Sequence, residues 1–286
     1  PGVFQSGEKV HAEMDATRRA GKVIGGHYAS PDLGLPFYGY AAGGPEDDHE
    51  GTRLEDALIR ARLGMKVMLR YGSAWHDVAA QVKAVTEQGL DPRHFILCTD
   101  DSHSATLIQE GHMDRVIRHA IQQGLEPMRA IQMSTINTAE HFGLSNEIGM
   151  IAPGRYADII LVENLDDFQA GAVIGKGTLI AEGGQWLVQL PIFDTPDWAL
   201  QSVHLKRLLT AEDFIPAIDR ELDGIYTANV IGVIENQAPT RHLKIPVKVN
   251  QGKLCLDSNS GLAKIAVVER HAASGRVQVG LVHGFG

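Results

Sequence analysis

The chain has 286 residues, 44% hydrophobic and 21% charged, with a formal net charge of −9. These are the proportions of a globular protein, and the acidic balance with no offsetting basic patch excludes a nucleic-acid backbone as the main partner. No apolar run approaches the ~20 residues of a membrane helix, so no membrane association is expected. The two cysteines, Cys98 and Cys255, are far apart. That favours a reducing, cytoplasmic compartment over a disulfide scaffold. The chain opens Pro1-Gly2-Val3 and closes on a strand-like run ending at Gly286, and we expect it to be a piece of a longer protein.

From residue 1 to about 143 a helical stretch and a short apolar strand alternate. Ser6 is placed to cap a helix over 7–20, stopped by Gly21. Val23-Ile24-Gly25-Gly26-His27 reads as the first strand, and residues 33–42 as a short helix if Pro36 lies in its first turn. Residues 46–50 have poor strand propensity but fall where the rhythm requires a strand. Thr52 with Glu55 predicts a capping box for a helix ending at Gly64. Met65 to Arg70 is the third strand, 75–88 a helix and His94 to Thr99 the fourth strand. Residues 113–123 and 127–142 supply two more helices. Strand starts recur every ~20–30 residues, as in a (β/α) barrel, but only four of the eight units fit. The fold expected is therefore α/β: the C-terminal half of a (β/α)8 barrel over 1–143. A small β module over 144–195 and an incomplete α+β domain over 196–286 follow it.

The four strands run out into polar groups: His27, then His49, then Arg70-Tyr71-Gly72-Ser73, then Asp100-Asp101. Parallel barrel strands present their C-terminal ends to one mouth. Two imidazoles and a carboxylate there suit a divalent transition metal, with His27, His49 and Asp100 as candidate ligands. Strand alternation turns Asp101 away from Asp100 and puts Cys98 on the Asp100 face; Cys98 also reads as a small buried residue. Glu50, Arg70, Ser73 and Asp101 either contact a substrate or serve as supporting and loop-capping groups. His103 and His112 read as capping or surface residues.

These residues resemble the amidohydrolase superfamily: Gly26-His27, Asp48-His49-Glu50 and Cys98-Thr99-Asp100-Asp101 match its fifth-, sixth- and eighth-strand motifs, and residues 151–161 its composite β module. The set is most similar to the bacterial-type adenine deaminase family. The stretch from Gly64 to Ala74, Glu110-Gly111-His112, residues 139–144 and residues 264–271 carry that likeness over essentially the whole chain. The resemblance implies metal-dependent hydrolytic deamination of adenine to hypoxanthine and ammonia, as in purine salvage. It implies a site with iron, manganese or zinc, binuclear in the complete enzyme, and leaves room for a homodimer. Asp100 would be both ligand and proton shuttle. The superfamily's His-x-His pair and bridging carboxylate are expected upstream of Pro1, and Ser102 stands where the family has Arg. Two alternatives remain at this stage. One is another cyclic amidohydrolase, of imidazolone or dihydroorotate type; the other is a fragment or pseudoenzyme inactive as it stands.

Overall fold

The computed structural model describes residues 3, 7–216, 218, 223–237 and 239–285. The Ser6 cap lies outside them. The described chain forms two compact units, Pro1–Gln189 and Leu190–Gly286.

The first unit begins with α1 (Glu8–Arg19), closed by Gly21 at φ 64°, and α2 (Leu35–Ala42), which carries Pro36 in its first turn. A three-stranded parallel sheet follows, made of β1 (Asp47–Asp48), β2 (Lys66–Arg70) and β3 (Phe95–Cys98) in that order. Its register pairs Asp48 with Val67 and Arg70 with Cys98, so all three strands end on one edge. Val67, Leu69, Phe95 and Leu97 fill the core under α3 (Leu54–Arg62), α4 (Val78–Gln81), α5 (Lys83–Thr86), α7 (Met113–Gln122) and α8 (Pro127–Ser134). Two shorter helices, α6 (Ser104–Gln109) and α9 (Ile136–His141), complete this region.

Several expectations are corrected. Residues 23–27 form no regular strand. The Ile24 carbonyl accepts from the Glu46 amide at 2.8 Å, but the next donors, Gly26 and Tyr28 N–H, go to the Asp47 and Asp48 carboxylates. Side chains have replaced ladder carbonyls as acceptors. The α3 cap is shifted by one residue: Asp56, not Glu55, accepts from the Thr52 and Arg53 amides, at 3.0 and 2.9 Å. The helix expected over 75–88 tightens at Val82, whose carbonyl takes an i+3 bond from Val85, the 3₁₀ pattern. The 127–142 helix breaks at Thr135, which has φ −126° and ψ −90°. Helix α6 was not foreseen.

The first unit ends in an antiparallel sheet of β4 (Ile159–Val162), β5 (Ala170–Gly175), β6 (Thr178–Glu182) and β7 (Gln185–Trp186). In the second unit α10 (Asp197–Leu200) precedes β8 (Gly224–Gly232), β9 (Arg241–Asn250), β10 (Lys253–Cys255), β11 (Leu262–Val268) and β12 (Val277–His283). These five pair in the order β10-β9-β8-β12-β11, with β8 and β12 parallel, and Val230, Val247 and Leu281 form their core. Among the described residues no helix is long and apolar enough to cross a membrane.

Under the parallel sheet's polar edge lies a buried ion pair. Arg60 of α3 donates from Nε to Asp48 Oδ1 at 2.9 Å, and also reaches the Asp56 and Tyr28 carbonyls. Asp48 is fully buried. Removing one partner of such a pair strands a charge in low dielectric. Arg60→Met is therefore expected to cost about 3–5 kcal/mol in urea unfolding, whereas Lys9→Met, in the exposed pair with Glu13, should scarcely move the midpoint.

Candidate metal and catalytic site

The site starts from the two-residue strand β1. Asp48 points inward and is saturated there: it accepts from Tyr28 N–H at 2.6 Å, the Tyr40 hydroxyl at 2.9 Å, Arg60, and the Glu50 amide at 2.9 Å. Burial and the adjacent Asp48 charge push the Tyr40 phenol far above its usual range, so it remains a donor. The same bonds fix the extended segment carrying His27. Gly26 is required there, because a Cβ would overlap the Tyr40 hydroxyl and come within 2.8 Å of the Asp47 carbonyl.

With Asp48 committed to the interior, His49 and Glu50 face the edge. The His27 and His49 rings meet edge to face with centroids 4.4 Å apart. His27 Nδ1 is 3.1 Å and His49 Nε2 3.8 Å from Glu50 Oε1. Asp100 Oδ2 is 3.6 Å from His49 Nε2. His27, His49 and Glu50 each offer one ligand atom within 4.8 Å of the others. His27 is open to solvent, with 71% of its side chain exposed, and His49 is partly open at 21%. Two imidazoles and the Glu50 carboxylate at this spacing form a donor set that fits a divalent cation; Asp100, expected as the third ligand, approaches His49 but lies outside this group.

Arg70, at the end of β2, holds the carboxylates in place. Its Nη1 donates to Glu50 Oε2 and Asp100 Oδ2, both at 2.9 Å, and its Nε to Asp77 Oδ2 at 2.6 Å. The side chain is only 2% exposed. Burial alone would weaken its charge, but the bonds to Asp77 and Asp100 hold the guanidinium above its ordinary pKa. Burial likewise works against ionised Glu50 and Asp100. The His27 and Arg70 bonds for Glu50, and the Arg70 and Asp101 N–H bonds for Asp100, prevail and leave both carboxyls below the usual range. Asp77 goes the other way, raised by its burial despite Arg70.

Asp100 lies beyond the end of β3 in the left-handed region, φ 58°, a conformation that strains a residue with a Cβ. Strand alternation therefore does not set its direction: β3 stops at Cys98, and the turn aims Asp100 at His49 and Arg70. Its Oδ1 accepts from the Asp101 amide at 2.7 Å. Asp101 itself is exposed and holds the Ser73 amide through its carbonyl at 3.0 Å. Ser73 Oγ accepts from His103 N–H at 2.7 Å and bonds Thr106 Oγ1 at 2.8 Å, so it ties two loops together. His103 Nδ1 caps α6 by accepting from Ala105 N–H, and His112 precedes α7. Burial pushes the Cys98 thiol up to about 12, so it stays protonated.

Sequence reading missed Asp77, which carried no rim signal because it follows an irregular loop. It also missed an aromatic group behind that loop. The Tyr71 ring stacks on His119 at 3.8 Å, meets His76 at 4.6 Å, and lies under the Arg115 guanidinium at 3.9 Å. Burial holds both imidazoles below their usual range, His119 at about 4. An unfolded histidine protonates near ~6.5, so between ~6.5 and about 4 the unfolded chain binds the extra protons and stability falls as pH drops. His119→Phe keeps a ring on Tyr71 but removes the titration. Its urea midpoint is expected to decline less than that of the parent as pH is lowered through this window.

Comparison with known proteins covers the whole chain. Residues 56–182 match the amidohydrolase family and residues 237–286 the adenine deaminase C-terminal domain. The chain is 56% identical to an adenine deaminase of Mesorhizobium japonicum and 54% identical to one of Roseobacter denitrificans, each over 100% of this chain and 47% of the relative. The chain thus spans about half the length of the curated relatives it matches. In fold it is similar to the β-aspartyl dipeptidase of Fervidobacterium islandicum, with a TM-score of 0.51 and 20% identity over 68% of this chain and 56% of that one. Along its entire length the chain is similar in sequence to adenine deaminases, and residues 56–182 carry the match to the amidohydrolase family.

Proposed function

We propose that the full-length protein containing this chain is a metal-dependent aminohydrolase that converts adenine and water to hypoxanthine and ammonia. The observation that carries this reading is the meeting of His27, His49, Glu50 and Asp100 on one edge, in a chain that aligns throughout with adenine deaminases. The parallel sheet with the His27 segment is read as half of a (β/α)8 barrel. Residues 144–195 are read as its β module and 196–286 as an incomplete C-terminal domain, with the remaining barrel units supplied by the rest of the protein.

Divalent-metal dependence is general among amidohydrolases, and the donor set fits it. His27 and His49 would hold the ion through ring nitrogens, with an oxygen from Asp100 and Glu50 alongside. Manganese, iron or zinc suits such ligands, in a site completed to two metals by groups from the missing half. When bound, the metal activates a water for attack at neutral pH. Asp100, kept ionised by Arg70, accepts a proton at its carboxylate and returns it to the ring nitrogen or to departing ammonia. Glu50, between the two imidazoles and Arg70, is the second carboxylate on this edge and a candidate contact for the purine. Arg70 is so enclosed that it acts by fixing Glu50 and Asp100 rather than by touching adenine. Ser73 and Asp101 shape the adjoining loop, Ser73 through bonds to His103 and Thr106 and Asp101 through its carbonyl to the Ser73 amide. The substrate is a small molecule; a cytoplasmic location and a homodimer belong to the same proposal.

A cyclic amidohydrolase of imidazolone or dihydroorotate type is the weaker reading, since residues 237–286 match a domain described as belonging to adenine deaminase. The test is incubation of the full-length protein with adenine and Mn²⁺, following hypoxanthine and ammonia. Activity on another ring amide without adenine turnover would contradict the proposal. Asp100→Asn should lower kcat by about 10²–10⁴ with the fold intact, and Asp101→Asn far less; the reverse ranking would show the shuttle misassigned. Residues 1–286 alone, without the upstream ligands, should turn over no adenine.

A further inference from the structure

The segment Ala139-Glu140-His141-Phe142 closes α9 beneath the His27 segment. At the end of α9, His141 Nε2 lies 2.7 Å from Asp47 Oδ2, with both side chains nearly enclosed at 6% and 4% exposure. The other Asp47 oxygen, Oδ1, accepts from Gly26 N–H at 3.3 Å. Gly26 precedes His27 and has no space for a side chain.

The segment carrying His27 is attached to β1 by few bonds. Ile24 exchanges two with Glu46, through the Glu46 amide and carboxylate. The remaining two are Gly26 N–H to Asp47 and Tyr28 N–H to Asp48. Half of this attachment therefore depends on two buried carboxylates. A buried carboxylate keeps its orientation only while hydrogen-bond partners satisfy it. Arg60 does this for Asp48. His141, 94 residues away in sequence from Asp47, does it for Asp47.

We propose that His141 is a positioning residue for the metal site. Through Asp47 it fixes the Gly25-Gly26 backbone and so aims the His27 imidazole at His49 and Glu50. This inference rests on the metal-site reading, with His27 as a ligand. Without His141, Asp47 would retain only the Gly26 amide as a partner and its carboxylate would be free to turn. The His27 segment would then lose the fixed geometry that a ligand needs.

The test is Co²⁺ titration of the metal-depleted full-length protein, read by visible d–d absorption, with thermal unfolding measured in parallel. His141→Ala is expected to weaken Co²⁺ binding by about tenfold or more and to alter the d–d band. His141→Gln, whose side-chain N–H can donate to Asp47, should restore both. Asn137→Ala serves as the stability control, because Asn137 of the same helix bonds the Pro92 and Phe95 carbonyls and not Asp47. It should lower Tm with Co²⁺ affinity unchanged. Co²⁺ binding by His141→Ala equal to that of the unsubstituted protein would overturn this inference alone, as would affinity falling in step with Tm across all three variants. Failure of the unsubstituted protein to bind Co²⁺ would overturn the metal reading and this inference with it.

Discussion

The polar edge depends on one fully buried carboxylate, Asp48. An unpaired charge at that depth would cost several kcal/mol, so its surroundings are built to satisfy it. Arg60 comes from α3, the Tyr40 hydroxyl from α2, one amide from the His27 segment and another from Glu50. Satisfying Asp48 therefore brings four pieces of chain to the same point. Because Asp48 is committed to the interior, the next two residues, His49 and Glu50, emerge at the edge beside His27. The candidate site residues are thus held by a neighbouring carboxylate that itself faces the interior.

The same arrangement recurs beneath the other site groups. Arg70 is locked by Asp77 and presents one nitrogen to both Glu50 and Asp100. Asp47 is paired with His141. Each pair is enclosed enough for its attraction to be little screened, and each joins elements separated in sequence. Rigid support of this kind lets an exposed imidazole such as His27 hold a direction. It also sets the charge state: with Arg70 behind them, Glu50 and Asp100 stay ionised although burial opposes it. An ionised Asp100 accepts a proton, whereas a neutral one would not. The left-handed backbone at Asp100 is a strain that the Arg70 bond and the Asp101 amide offset.

Much of this was legible in the sequence because it is local. The apolar runs leading to Arg70 and Cys98 are β2 and β3, and the polar residues following each strand share an edge because parallel strands must end together. Pro36 falls in the first turn of α2, as its missing N–H requires. What escaped was long-range or a matter of register. Residues 23–27 have strand composition, yet their amides are taken by carboxylates, which periodicity does not reveal. Asp56 replaced Glu55 as the α3 cap because the difference is a single residue of register. Asp77 meets Arg70 across an irregular loop, and His141 meets Asp47 from 94 residues away, so periodicity reveals neither pairing. Alternation does not set the direction of Asp100, since the strand ends at Cys98 and the turn brings its carboxylate to His49 and Arg70.

The proposed chemistry of this edge turns on His27 and His49 holding a divalent metal beside Asp100 and Glu50. The most direct measurement is an anomalous-scattering map of crystals of the full-length protein loaded with Mn²⁺ or Zn²⁺. A peak within about 2.0–2.2 Å of ring nitrogens from both histidines is expected. A fully loaded protein with its metal elsewhere, and none on this edge, would contradict it.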